Sequence, residues 1–332
     1  MSLASELLQW YDVHARDLPW RMPPRGARPD PYHVWLSEIM LQQTTVAAVA
    51  AYYRRFLEVW PRVQDLAAAD DAVVMGEWAG LGYYARARNL LKCARILASD
   101  GFPVDHAGWL GLPGVGPYTA AAIAAITYDE PVAVVDGNVE RVFSRLFAVE
   151  TPLPKLKDEV RVLVAAEVPP ERAGDFAQAT MDLGATICTP KSPACLMCPV
   201  SGRCRALAEG RVTAFPVRVA KKATPHRKGY AYVARRSDGA MLVETRPEKG
   251  LLGGMLGFPT GPWAEVLTQA KPFDADWKDV GTVEHTFTHF RLSLTVMVVE
   301  VAVDGQRLVK PSDLPTLMRK VHDVAVANLR GD

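Results

Sequence analysis

Apolar residues recur at helical spacing through the first two-thirds of the chain. Asp30-Pro31 reads as an N-cap followed by Pro at the first helical position, opening a helix through Val34, Trp35, Met40 and Leu41. Pro117 likewise starts the Ala-rich run Tyr118 to Ile126, and Val139, Val142, Phe143, Leu146 and Phe147 mark one buried helical face. No hairpin or internal repeat interrupts this region, so residues 1–205 are expected to be all-α.

The pattern changes after Cys204. From Arg205 to Lys228, seven basic residues (Arg205, Arg211, Arg218, Lys221, Lys222, Arg227, Lys228) face Glu209 alone, with Pro216 and Pro225 interspersed. Residues 206–228 therefore read as an extended basic linker. Beyond it, Tyr230 to Ala234, Ala240 to Glu244 and Leu292 to Val303 carry β-branched runs bounded by Gly, Asp and Pro, and Leu314 to Leu329 fits a helix. Residues 229–332 are expected to form a smaller α/β domain.

Composition narrows the class only a little. The 332 residues are 49% hydrophobic and 23% charged with net charge +1, so any polyanion-binding surface must come from local clustering. No apolar run approaches the roughly 20 residues of a membrane span, and Met1 to Trp20 shows no signal-peptide pattern, which predicts an intracellular, reducing setting. Five cysteines then matter. Cys93 stands alone and reads as a core thiol, whereas Cys188, Cys195, Cys198 and Cys204 share one short segment with spacing Cys-x6-Cys-x2-Cys-x5-Cys. Structural zinc sites usually use two separated CxxC knuckles; four thiolates in one compact loop suit a cuboidal [4Fe–4S] cluster better.

Three features carry candidate chemistry. Leu112-Pro113-Gly114-Val115-Gly116-Pro117 is a Gly-rich turn opening onto a helix, able either to pack two helices closely or to aim backbone amides at a phosphate. Asp136, delivered by Val132 to Val135 and followed by Gly137-Asn138, is an N-cap aspartate or a rigidly held functional carboxylate. Glu38 lies among Val34, Trp35, Leu36, Ile39, Met40 and Leu41; it is either on an exposed outer face or buried, and burial would raise its pKa and keep it protonated.

The string Leu-Pro-Gly-Val-Gly-x-x-Thr-Ala at 112–120 resembles the helix-hairpin-helix motif of DNA repair glycosylases, and the cysteine spacing is similar to the cluster loop of endonuclease III-like enzymes. With Leu18 to Arg21, Val34 to Thr44, Gly80 to Leu90 and Met181 to Ala185, the chain resembles MutY-type adenine DNA glycosylases from about Trp10 to Phe290. The resemblance implies an all-α glycosylase region with a [4Fe–4S] loop at 188–204, acting as a cytoplasmic, nucleoid-associated bacterial monomer on duplex DNA containing 8-oxoguanine·A or G·A mispairs. It makes Glu38 the general acid and Asp136 the stabiliser of the sugar cation, with Tyr118 and Asn138 positioning them. Gly114, Val115, Gly116 and Arg86 would bind DNA, Gln42 would fill the gap left by the extruded base, and Tyr83 would insert beside the opposite base. Trp20, Arg21, Gln178 and Asp182 would line the adenine pocket, and Lys191, Arg203 and Arg205 would face phosphates. Endonuclease III-like relatives carry a nucleophilic lysine where Tyr118 stands, and Glu140 adds none, so a monofunctional enzyme is expected. Thymine opposite guanine is the nearest alternative substrate.

Gly250 to Pro259 resembles the Nudix-like domain of the same family. Glu265 is the only acid between Gly261 and Ala270, so no Mg²⁺-dependent pyrophosphohydrolase activity is expected. His285 to Phe290 is similar to the family loop that checks for 8-oxoguanine, through Phe287, Thr288 and His289, with Thr288 in place of the usual Ser and Leu252 where relatives often have Trp.

Overall fold

In the computed structural model, which describes residues 2–219, 224–247, 250–287 and 289–329, the chain divides into two compact units, Met1–Val219 and Ala220–Asp332. The first unit is helical: α1 (Leu3–His14), α2 (Pro31–Leu41), α3 (Val46–Val59), α4 (Val63–Ala67), α5 (Asp71–Glu77), α6 (Tyr84–Asp100), α7 (His106–Leu110), α8 (Pro117–Tyr128), α9 (Gly137–Leu146), α10 (Leu156–Glu167), α11 (Ala173–Thr186) and the short α12 (Arg205–Ala208). Local signals set the key starts. Asp30 caps α2 by accepting from Tyr32 N at 2.7 Å, with Pro31 at the first turn. Pro117 opens α8 behind Gly116, and Asp136 caps α9.

Two apolar cores build this unit. One joins α2 to α8 around Trp35, Phe56, Trp78 and Trp109, and takes in Cys93. The other gathers α1, α9, α10 and α11 around Tyr11, Phe143 and Phe176. Ala121, Ala122 and Ala125 of α8 meet Val134 and Ala177 between them. Alanines let α8 pack closely against both α2 and α11, so residues from the two cores converge along this seam.

The basic stretch 206–228 is not a free linker throughout. Phe215 is buried, Arg145 Nε donates to its carbonyl at 3.2 Å, and Leu153 N donates to Val217 O at 3.3 Å. Arg211 is paired with Glu150 and lies over the Phe215 ring. An apolar anchor and neutralised charge thus fold residues up to Val217 onto the helices, and His226 already begins a strand.

The second unit holds β1 (His226–Arg235), β2 (Met241–Leu242), β3 (Glu244–Thr245), β4 (Leu256–Gly257), β5 (Lys278–Thr286), β6 (Arg291–Glu300), β7 (Gln306–Arg307) and α13 (Thr316–Leu329). Its main sheet has the order β5-β6-β1-β2-β7, with β1 and β6 parallel in register Tyr230↔Thr295 and the other pairs antiparallel. β3 and β4 form a separate pair. One sheet face packs Val233, Leu294, Val296 and Val298 against Leu317, Met318 and Val321 of α13. Residues 258–277 contain no helix. No helix of the described residues is long and apolar enough to cross a membrane.

Candidate active site

A cleft of about 530 Å³ opens at the seam of the helical unit. Its walls bring together Trp20, Arg21, Glu38, Gln42, Tyr118, Asp136, Asn138 and Gln178 from five separate stretches of chain, a size and residue mix suited to a small ligand or an extruded nucleotide.

Nearly every residue of α2 is buried, so the helix has no outer face for Glu38, which is 7% exposed. Burial pushes Glu38 up to about 7 and the Asp136 carboxylate adds to the rise, while a hydrogen bond from Tyr118 and the charge of Arg21 pull the other way. Tyr118 is itself driven well above the usual phenol range by burial and by the two neighbouring carboxylates; its hydroxyl also reaches Met181 Sδ at 3.5 Å. Asp136 has a contrasting setting. Its oxygens accept from Asn138 N, Val139 N and Asn138 Nδ2, all at 2.8 Å, at a helix N-terminus. The two carboxyl groups thus differ in setting, Glu38 enclosed by apolar helix and Asp136 ringed by N–H donors.

Asn138 is seated by α11. At Gly184 an added Cβ would stand 2.6 Å from Asn138 Cβ, so only glycine lets the Asp136 loop approach this closely. Arg21 is held by the fully buried Asp182 at 2.6 Å. Asp182 thus lies behind the cleft and acts on it through Arg21. Gln178, tied to Gly174 O at 3.3 Å, and Trp20, edge-on to Tyr53, complete the inner wall.

The Gly-rich turn has Gly114 in the left-handed region (φ 78), where an added Cβ would also press on Asn89 at 3.0 Å. Gly116 caps α8 without any side-chain hydrogen bond, which leaves first-turn amides available to an anion. Gln42 Nε2 donates to Gly114 O at 3.3 Å and Thr119 Oγ1 at 3.2 Å, tying the cleft rim to this turn. Tyr83 is 55% exposed on a neighbouring loop. Arg86, expected from the sequence to bind DNA, has its terminal nitrogens engaged by protein carbonyls and Thr44. Arg203 is engaged by Glu6 at 2.9 Å, while Lys191 and Arg205 are exposed.

Cys188, Cys195, Cys198 and Cys204 line one hollow with Val142, Leu146, Leu183, Ile187 and Val200. Among the described residues no three Cys, His, Asp or Glu converge closely enough for a single metal ion. Four thiols around a wider, largely apolar hollow match a cuboidal cluster, and the buried Arg145 guanidinium, 3.2 Å from Cys188 Sγ, supplies positive charge against it.

Residues 36–169 match the model of HhH-GPD superfamily base excision DNA repair proteins, 188–204 the iron–sulfur binding domain of endonuclease III, and 230–323 a NUDIX domain. Adenine DNA glycosylases of Homo sapiens (36% identical, 90% of this chain and 67% of that protein) and Buchnera aphidicola (31%, 89% and 87%) align across both units. The chain belongs to the adenine DNA glycosylase family. It spans 57% of the length of the Arabidopsis thaliana relative, at 37% identity. Among solved structures, a thermostable thymine-DNA glycosylase superposes with TM-score 0.56 at 30% identity, covering 62% of this chain and 95% of that one. An endonuclease III–DNA complex gives 0.52 at 23% and shares the fold. The family's iron–sulfur loop is thus present here with its four cysteines, and the resident group is a [4Fe–4S] cluster.

Sequence reading missed two residues of this site. Arg141 Nε donates to Cys188 O at 2.7 Å and its Nη2 to Asn138 Oδ1 at 2.8 Å, so it joins the Asp136 loop to the cluster loop. Arg145 grips the cluster loop directly. The available signal was two arginines four residues apart, the second inside the apolar stripe of α9. In the second unit Phe287 stacks on Phe290 at 4.8 Å and Phe287 N donates to Phe290 O at 2.9 Å, closing a turn whose His289 is exposed. Thr288 lies outside the described residues.

Proposed function

We propose that this chain is a base-excision repair glycosylase that hydrolyses the N-glycosidic bond of adenine mispaired with 8-oxoguanine or guanine in duplex DNA. The observation that carries the reading is the pair of unlike carboxyl groups, Glu38 and Asp136, in one cleft of nucleotide size. Adenine leaves readily only when a ring nitrogen is protonated. Glu38 donates that proton to N7 and then takes one from the attacking water, while Asp136 stabilises the oxocarbenium charge of the sugar, electrostatically or through a transient covalent bond. Tyr118 and Asn138 fix the two carboxyl groups. Bound through its four thiolates, the cluster would cross-link loop 188–204 and hold the Cys188 carbonyl that Arg141 uses. With Tyr118 and Glu140 where a nucleophilic lysine would stand, base release without strand cleavage is the expected chemistry.

The deciding assay presents duplexes carrying 8-oxoguanine·A, G·A, G·T and thymine glycol, and identifies the released base. Adenine from the first two is expected; release of thymine instead would replace this reading with a mismatch thymine glycosylase, which the likeness of the helical unit to a thymine-DNA glycosylase makes the competing outcome.

The raised pKa of Glu38 also sets a pH dependence. The acid form is the active one, so single-turnover release should be level just below pH about 7, where Glu38 keeps its proton, and fall by about tenfold per unit well above it. A rate that keeps rising into alkaline solution would rule Glu38 out as the acid.

A further inference from the structure

We propose that Arg86 is a positioning residue for base extrusion, locking the Gln42 loop and the Tyr83 loop into one preset unit. The inference rests on the adenine-excision reading above and assigns to a residue inside the protein a task expected of groups on DNA. Arg86 lies in the first turn of α6. Its Nη1 donates to the carbonyls of Ile39 (3.3 Å), Met40 (3.1 Å) and Gln42, and its Nη2 to Thr44 Oγ1 (3.1 Å), Leu81 O (3.1 Å) and Gly82 O (3.5 Å).

Two physical needs explain this geometry. The carbonyls of Ile39, Met40 and Gln42 close the C-terminal end of α2, where the last turn leaves acceptors unpaired and the helix dipole is negative; a guanidinium meets both demands. The loop after them holds Gln43 at φ 57, and the second loop holds Tyr83 at φ 49, directly after Gly80 and Gly82, both at positive φ. Left-handed backbone at two non-glycine residues persists only when the surroundings over-determine it. The same guanidinium lies 5.4 Å from the ring centroids of both Tyr83 and Trp78, so it clamps the exposed ring as well as the backbone. Gln42 is tied onward to the Gly114 turn. Wedge, probe and phosphate-binding turn are therefore connected through one half-buried cation.

The fork of Arg is essential to this role. Lysine keeps the charge but carries a single nitrogen with three donors, too few for the six acceptors that Arg86 reaches across the two loops. Single-turnover release should be measured for Arg86→Lys on adenine opposite guanine and on adenine opposite a tetrahydrofuran abasic analogue, where there is no partner to leave and no opposite base to probe. We expect a loss of roughly 10- to 100-fold on the first duplex and less than about threefold on the second. Fluorescence of 2-aminopurine beside the target base should show the matching loss of extrusion. Thr44→Val, which removes one acceptor and leaves the guanidinium in place, should give the same pattern more weakly and decides the matter if thermal melting shows Arg86→Lys unfolded. Equal loss on both duplexes, or an unchanged extrusion signal in a folded variant, overturns the proposal. Should the unaltered chain release adenine from neither duplex, the excision reading fails, while the fluorescence still reports whether the loops are coupled.

Discussion

Glutamine at position 38 is expected to lower single-turnover adenine release by about 10²–10⁴-fold, the range that positioned proton transfer contributes, while leaving duplex affinity largely intact. The substitution keeps shape and removes only the acid, and Glu38 sits in a cleft wall where Tyr118 and Arg21 act on it. A neutral amide at that spot relieves the cost of burying a carboxylate, so the variant should melt no lower than the parent. Asparagine at 136 should cost about 10²–10³-fold by the electrostatic route. It retains one acceptor for the three donors from Asn138 and Val139 but loses the negative charge. Substantial release by both variants would mean that neither carboxyl does the chemistry assigned to it. Loss of DNA binding together with loss of release would instead place them in recognition.

Much of the helical unit is legible because its signals are local. Asp30-Pro31, Gly116-Pro117 and Asp136 each satisfy a helix start within three residues, and the structure uses all three. Glu38 was ambiguous for a related reason: burial on every side is a tertiary fact, and α2 presents apolar residues all round. Strand β5 escaped detection because it lies at the sheet edge, where Val283 is its only buried residue and Lys278, Asp279 and Glu284 face solvent. Such a strand carries no alternating pattern. The basic run after Cys204 misled in the opposite direction. Its charges suggested free chain, whereas Phe215 and the acceptors offered to Arg145 hold it down. Arg86 was legible as important only by resemblance, and most of its hydrogen-bond partners are backbone carbonyls, which leave no trace in residue types.

Arg145→Met should have the largest effect on the integrity of the helical unit. The side chain is 1% exposed, and its guanidinium donates to Phe215 O, Cys188 O and Sγ, Thr189 O and Pro190 O. None of those partners is a carboxylate. A buried cation without an acidic partner is tolerated only if other negative charge faces it, and the thiolates of the cluster loop are the groups placed to supply it. Methionine fills the volume but leaves the buried Phe215 carbonyl unpaired, at about 1–3 kcal/mol, and strips the part-buried Cys188, Thr189 and Pro190 carbonyls of their donor. Against a total stability of roughly 5–15 kcal/mol, that loss is expected to loosen both the cluster loop and the 205–217 segment, which Arg145 ties together. The purified variant should show iron per chain falling well below the parent, a lower melting temperature, and faster proteolysis after Arg205. Arg145→Lys should recover part of the iron, since charge survives while most of the hydrogen bonds do not. Full iron content and unchanged melting in the methionine variant would show that the loop is held by its cysteines alone.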